Sequence, residues 1–327
     1  MRNRLAVSLI LLGLAACEGT VSWQLEPSSF DAGRGDGGVV VRDAGPAELA
    51  PVFSGWPSGA AMKGAASLDL VLYAITDSAF LSLATDAPAW APVTVPVMAG
   101  EKPTSLSRFD SALYLTVSSG SGGGVLTKTP GSEWSRVSGL PDQPCWATAK
   151  RGDALFVATT GGVYVKAGAS AWALRSAAGE PLFSQGVTFL IAAPTQQRMF
   201  AVGATGELSH SDDSGATWSK GLVQGAVSAL AASGTTVLVQ TSVDGARRSE
   251  NYGSTFKAMP LDAQAMGFAI DAESWAATSR GLKVSVDLGV NWANDVNALP
   301  GGLALRAVFI SGSAFVVDSA SGPFVLR

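Results

Sequence analysis

The sequence predicts an all-β chain: a seven-bladed β-propeller of four-stranded antiparallel blades, with an N-terminal signal peptide and a flexible tether. Three observations predict it. Aromatic residues at Trp90, Trp134, Trp172, Trp218, Phe256 and Trp292 recur at separations of 36 to 46 residues. Such a period, with four short strands per unit, marks a propeller blade. Glycine is abundant, 38 in 327 residues with nine tryptophans, against a usual glycine share of about 7 %. That composition suits short strands and tight turns. Hydrophobic residues reach 47 % and charged ones only 15 %, so a large core can form, and no long window carries the i, i+3, i+4 stripe of a helix.

Residues 1–16 come first. Arg2 and Arg4 precede an apolar stretch from Leu5 to Ala16, too short to span a bilayer and built like a secretory signal. Its end, Leu14-Ala15-Ala16-Cys17, resembles the bacterial lipoprotein signal, in which small residues precede an acylated cysteine. The resemblance implies cleavage before Cys17, lipidation of Cys17, and anchoring in the cell envelope by several acyl chains. Glu18 at the following position leans, by the rule of that family, towards the outer membrane. Residues 17–50 are rich in Gly, Ala, Asp and Pro without periodicity, as expected of a flexible tether.

Residues 51–327 form the propeller, about 40 per blade. Inner strands read AASLDL, TSLSRF, CWATAK, TFLIAA, VSALAAS, GFAIDA and LRAVFIS, and their small residues suit packing around a central channel. Second strands follow as LVLYAIT, ALYLTV, ALFVAT, RMFAVG, TVLVQT, SWAATS and AFVVDS, and third strands as runs such as GVLTK, GVYVK and GLKVS. The last unit, from Gly301 to Arg327, stops after its third strand. The segment Pro51 to Pro57 is expected to supply the missing outer strand, so that the two chain ends share one blade and leave no open edge.

Three strings repeat most closely: Ser211 to Trp218, Ser249 to Phe256 and Ser285 to Trp292, with the pattern Ser-x-Asp/Asn-x-Gly-x-x-aromatic. The pattern resembles the Asp-box, or bacterial neuraminidase repeat. Its members are Ser211, Asp213, Gly215 and Trp218; Ser249, Asn251, Gly253 and Phe256; and Ser285, Asp287, Gly289 and Trp292. The resemblance implies a structural hairpin between third and outer strands, away from the ligand-binding mouth. A short carboxylate accepts turn N–H groups there, and glycine supplies φ > 0.

Asp-box propellers include sialidases, whose chemistry needs an arginine triad, a Tyr/Glu pair and an acid/base Asp. The Arg-Ile-Pro motif has no counterpart. Arg108, Arg247, Arg248 and Arg306 could approach the mouth, but nothing marks three of them as a clamp. The single histidine, His210, has no evident triad partners and reads as a solvated strand residue. There is no P-loop, zinc spacing or EF-hand string, so no metal and no cofactor is expected. The net charge of −4 and the lack of a basic stripe argue against nucleic acid. Cys145, left alone once Cys17 is acylated, reads as a small buried hydrophobe.

The expectation is therefore a non-catalytic, membrane-anchored envelope propeller that binds a protein or glycan. The rivals are a glycan-cleaving hydrolase and a structural component of an envelope complex. Candidate contacts lie on the loops that join blades: Trp56, Met62, Lys63, Glu101, Lys102, Asp142, Gln143, Glu180, Phe183, Gln185, Asp262, Met266 and Arg306.

Overall fold

The computed structural model describes residues 10–11, 49–175, 187–192, 198–270, 273–294, 299, 303–311 and 314–326. Cys17, with nearly all of the leader and tether, lies outside them, as do Glu180, Phe183 and Gln185. Every regular element among the described residues is a β-strand. The strands form seven blades, each ordered inner, second, third, outer, with every pair antiparallel. Six blades are continuous in sequence, at 64–92, 102–136, 145–174, 187–220, 227–258 and 265–294.

Blade 7 closes the ring. Its inner, second and third strands are Leu305–Ser311, Ala314–Ser319 and Gly322–Leu326. Its outer strand is Ala50–Pro51, with Ala50 opposite Val325 and Pro51 opposite Phe324. The closing strand thus starts one residue before the expected Pro51. At the inner edge of blade 6, Ile10–Leu11 adds a two-residue strand, with Ile10 opposite Ile270 and Leu11 opposite Ala269.

Burial explains the strand sequences. The second strands Met199–Gly203, Thr236–Thr241 and Ser274–Thr278 are buried at every position. Both faces of each strand are buried, so their apolar residues run without polar alternation, and the polar ones, Thr236, Gln240, Thr241, Ser274 and Thr278, stand at or near the strand ends. Outer strands are only two residues long, as in Ala91–Pro92, Ala173–Leu174 and Lys257–Ala258, and both residues of each are exposed. A short rim strand leaves little free edge for another chain to pair with.

The inner strands share a feature that the sequence did not reveal. Six of the seven carry a β-bulge near their start, two steps in at Thr104 and one step in at Trp146, Thr188, Ser228, Met266 and Arg306. Only blade 1, with inner strand Gly64–Leu68, pairs without one. A bulge re-aims a side chain and sharpens the local twist. Here it recurs at one level of the ring.

Candidate functional site

The strand order sorts the loops between two faces. Blade-to-blade loops and second-to-third-strand loops lie on one face, the mouth, where the inner strands begin. First-to-second turns and third-to-outer hairpins lie on the other.

The three close repeats lie on that other face and build one hairpin three times. Ser211 Oγ donates to Asp213 Oδ1 at 2.8 Å and accepts the Gly215 N–H at 2.7 Å. Asp213 Oδ1 accepts the N–H groups of Ala216 and Thr217 at 3.0 and 2.8 Å, and Oδ2 accepts the Thr217 hydroxyl at 2.7 Å. Blade 6 repeats this with Ser285, Asp287, Gly289 and Asn291. In blade 5, Asn251 Oδ1 takes the Thr255 N–H at 2.9 Å and Nδ2 donates to Thr255 Oγ1. Burial alone would raise the Asp213 carboxyl, but the bonds from Thr217, Ser211 and Ala216 outweigh it and hold its pKa at about 2. These carboxylates are committed to turn N–H and hydroxyl groups.

Sequence reasoning missed two parts of the hairpin. The residue before each glycine is also left-handed: Ser214 at φ 61°, Tyr252 at 55° and Leu288 at 55°. Arginines of the preceding blade brace the hairpins. Arg198 forks onto Asp212 at 2.5 and 2.8 Å, and its Nη1 donates to Tyr252 O and Ser254 Oγ at 3.1 and 2.9 Å. Arg248 Nε donates to Leu288 O. Arg248 therefore sits on the hairpin face and not at the mouth. So does Arg108, which reaches Ser67 O at 3.0 Å from the far end of its inner strand. His210, expected to be solvated, is half-buried, and its Nδ1 has no hydrogen-bond partner among the described residues. Burial and then Arg198 lower its pKa.

At the mouth, most of the candidate residues meet partners. Lys63 pairs with Asp77, and Glu101 with Arg136. Asp262 pairs with Lys283 at 2.7 Å, and Arg247 with Asp244 at 3.5 Å. Asp142 Oδ1 accepts the Gly123 N–H at 3.0 Å. Trp56 packs edge-on to Trp90 with ring centroids 5.2 Å apart, and its Nε1 donates to Ala60 O. It braces its loop. Gln143 Nε2 is buried with no hydrogen-bond partner among the described residues, and the Gln143 backbone carbonyl accepts from the Cys145 thiol at 3.3 Å. Cys145 itself is buried, and desolvation pushes its thiol up to about 12.

The bulge residues stitch the ring at the mouth. Thr104 Oγ1 donates to Cys145 O of the next blade at 2.8 Å, and Ser228 Oγ to Ala265 O of the next blade at 3.5 Å. At blade 7 the bulge residue is Arg306, and its Nη1 is buried with no hydrogen-bond partner among the described residues. Beside it, Asp318 is fully buried. Its Oδ2 accepts the Met62 N–H at 3.1 Å, and its Oδ1 has no hydrogen-bond partner among the described residues. Desolvation raises the Asp318 carboxyl to about 7, against the opposing effects of Met62 and Arg306. Among the described residues, no group of three or more His, Cys, Asp or Glu is placed to hold a metal ion.

No family model and no curated protein matches the chain. Solved structures do. YCF48 from Cyanidioschyzon merolae superposes with a TM-score of 0.62 at 13 % identity, covering 85 % of this chain and 97 % of that one. YCF48 bound to D1 peptide gives 0.59 at 15 % identity, covering 82 % and 93 %. The extracellular domain of the putative hybrid two component system BT4673 from B. thetaiotaomicron gives 0.58 at 12 %, covering 86 % of this chain and 39 % of that one. At these identities the likeness is one of fold, and the fold is a β-propeller.

Proposed function

We propose that the chain is a non-catalytic binding propeller, held in the bacterial envelope by lipidated Cys17 and the 17–50 tether, whose mouth takes a protein partner. The observation that carries the reading is how the mouth uses its charges. Asp77, Glu101, Asp244 and Asp262 are each engaged by a cation, and Asp142 by a backbone N–H. Groups committed in this way build a shaped, stiff surface, whereas hydrolysis of a glycoside needs two carboxyl groups poised across one bond. A similarly folded propeller, YCF48, is bound to D1 peptide, which supports a polypeptide partner.

The test is cross-linking in membranes followed by co-purification, with substitutions on either face. Capture should fall with Lys63→Glu and Asp262→Lys and persist with Asp213→Ala on the hairpin face. Turnover of a glycoside, lost on changing mouth carboxylates, would overturn the reading. The anchor is tested separately. Cys17→Ser should leave the protein unlipidated and out of the membrane fraction, and a mature membrane-bound Cys17→Ser product would remove that part.

A further inference from the structure

The mouth is uneven in its pairing. Two of its cations have no anionic partner among the described residues: Lys102 at the start of the blade 2 inner strand, and Arg306 at the blade 7 bulge. The others, Lys63, Arg136, Arg247, Arg280 and Lys283, all have an acidic group within 4.0 Å. Blade 1 lies between blades 7 and 2, and its own cation, Lys63, is neutralised by Asp77. In a chain of net charge −4, the mouth cations Lys63, Lys102, Arg136 and Arg306 of this sector stand against Asp77, Glu101 and Asp142, the last held only by the Gly123 N–H, so the sector carries one net positive charge while Asp318 is neutral. A partner of opposite charge would gain attraction and orientation there.

We propose that blades 7, 1 and 2 form a docking sector for an acidic peptide segment of the partner, with Arg306 and Lys102 as its two contact cations and Asp318 as the gate on Arg306. The inference rests on the binding role proposed above and names the chemistry recognised. The gate follows from geometry. Ala307 and Asp318 are opposite each other in the ladder, and the bulge places Arg306 beside them. Yet the two side chains form no ion pair, and each keeps an unpartnered buried polar atom. A neutral Asp318 explains this. It holds the Met62 N–H and makes no strong claim on Arg306, whose side chain is half-buried, so its solvent-facing part is left for the partner.

Ionised, Asp318 would draw Arg306 into an internal pair and withdraw it from the mouth. With its carboxyl raised to about 7, the acid is neutral below that pH and charged above it. The groups around it are few. Arg306 faces it from the inner strand of its own blade, and the backbone of Ser319 beside it also favours the charged form. The entering segment offers the Met62 N–H and then Lys63, which Asp77 already holds.

The experiment measures fluorescence anisotropy of a labelled octaglutamate peptide on the purified full-length protein at low salt, at about pH 6 and about pH 8. Controls are the same peptide with glutamine throughout and a labelled oligogalacturonate. The acidic peptide should bind, and the neutral one should bind at least about tenfold more weakly. Arg306→Gln and Lys102→Gln should each weaken the acidic peptide about tenfold, while Arg306→Lys keeps most of the affinity and shows that the fold is intact. Affinity should drop from pH 6 to pH 8, and Asp318→Asn, a permanent mimic of the neutral acid, should abolish that drop.

Equal binding of the neutral peptide, indifference to both cation variants, or preference for the oligogalacturonate would overturn the peptide sector. A pH drop that survives in Asp318→Asn would overturn the gate. If partner capture in membranes persists while the acidic peptide fails, this inference falls and the binding role stands. If capture itself is insensitive to the mouth, the binding role falls first.

Discussion

The repeated hairpin sets its energetics one residue at a time. Asp213 and Asp287 each satisfy turn N–H groups that would otherwise be orphaned, so alanine at either should cost about 1 kcal/mol, read as a lower melting temperature. The held-down Asp213 carboxyl adds an acid limb. Its contribution is present above the unfolded value near 3.9 and is lost as pH falls towards about 2. Asn251→Asp should be close to neutral, because Asn251 already takes the equivalent N–H bond. Gly253 is less forgiving. Its φ is 75°, and a Cβ there would lie 2.6 Å from Phe200 Cζ of the preceding blade. Gly253→Ala should therefore cost about 1–3 kcal/mol. Leu288 runs the other way, being exposed, apolar and left-handed. Leu288→Gly or Leu288→Asn should stabilise by about 0.5–1 kcal/mol. Chemical denaturation midpoints that moved in the reverse order would contradict this account of the turn.

At the scale of the element, blades are joined on both faces by different devices. Threonine and serine hydroxyls stitch neighbouring inner strands at the mouth. Arginines brace neighbouring hairpins on the opposite face. Arg198 serves two blades at once, through a fork onto Asp212 and a third nitrogen onto Tyr252 and Ser254. Lysine has no planar fork to do both. Arg198→Lys should then lose roughly 1 kcal/mol, nearly as much as Arg198→Ala, in thermal unfolding. Recovery of full stability by lysine would show that charge alone matters there. The aromatic before each outer strand adds a further contact. Trp134 meets Tyr73 and Phe80 of the blade before it at 6.0 and 5.1 Å.

The whole molecule depends on its seam. Ala50–Pro51 completes blade 7, and the Met62 bond to Asp318 ties that blade to the entrance of blade 1. Deleting residues 49–57 should expose the edge of Gly322–Leu326 and give earlier, less cooperative melting with concentration-dependent association. Calorimetry and size-exclusion chromatography would read both effects. Asp318 makes the seam sensitive to pH. Its carboxyl lies at about 7 in the folded chain and near 3.9 when unfolded. Its stabilising contribution is complete below about 4 and is lost as pH rises to about 7, on the order of 4 kcal/mol. Asp318→Asn should flatten that limb of the stability profile.

Much of this architecture was legible in the chain. The 36–46-residue recurrence of aromatics gave the blades. The Ser-x-Asp/Asn-x-Gly string marked three of the hairpins, and the truncated last unit pointed to an N-terminal closing strand. The string is legible because turn chemistry is local: a short carboxylate and a glycine must stand at set offsets along the chain. The mouth was only half legible. Nothing in Thr104, Trp146, Ser228, Met266 and Arg306 marks them as equivalent, since a bulge is a property of two strands in register. Arg108 and Arg248 fell on the hairpin face because their position along a strand sets the face, and strand ends are read least well.

Local spacing along the sequence thus determined the all-β class, the repeat and the blade number. Tertiary structure decided which charges meet. It paired Lys63, Glu101 and Asp262 within their own blades and left Arg306 and Lys102 without an acidic partner among the described residues. It also buried Asp318 against the Met62 N–H, 256 positions away, because that contact depends on closure of the ring and on no pattern within one blade.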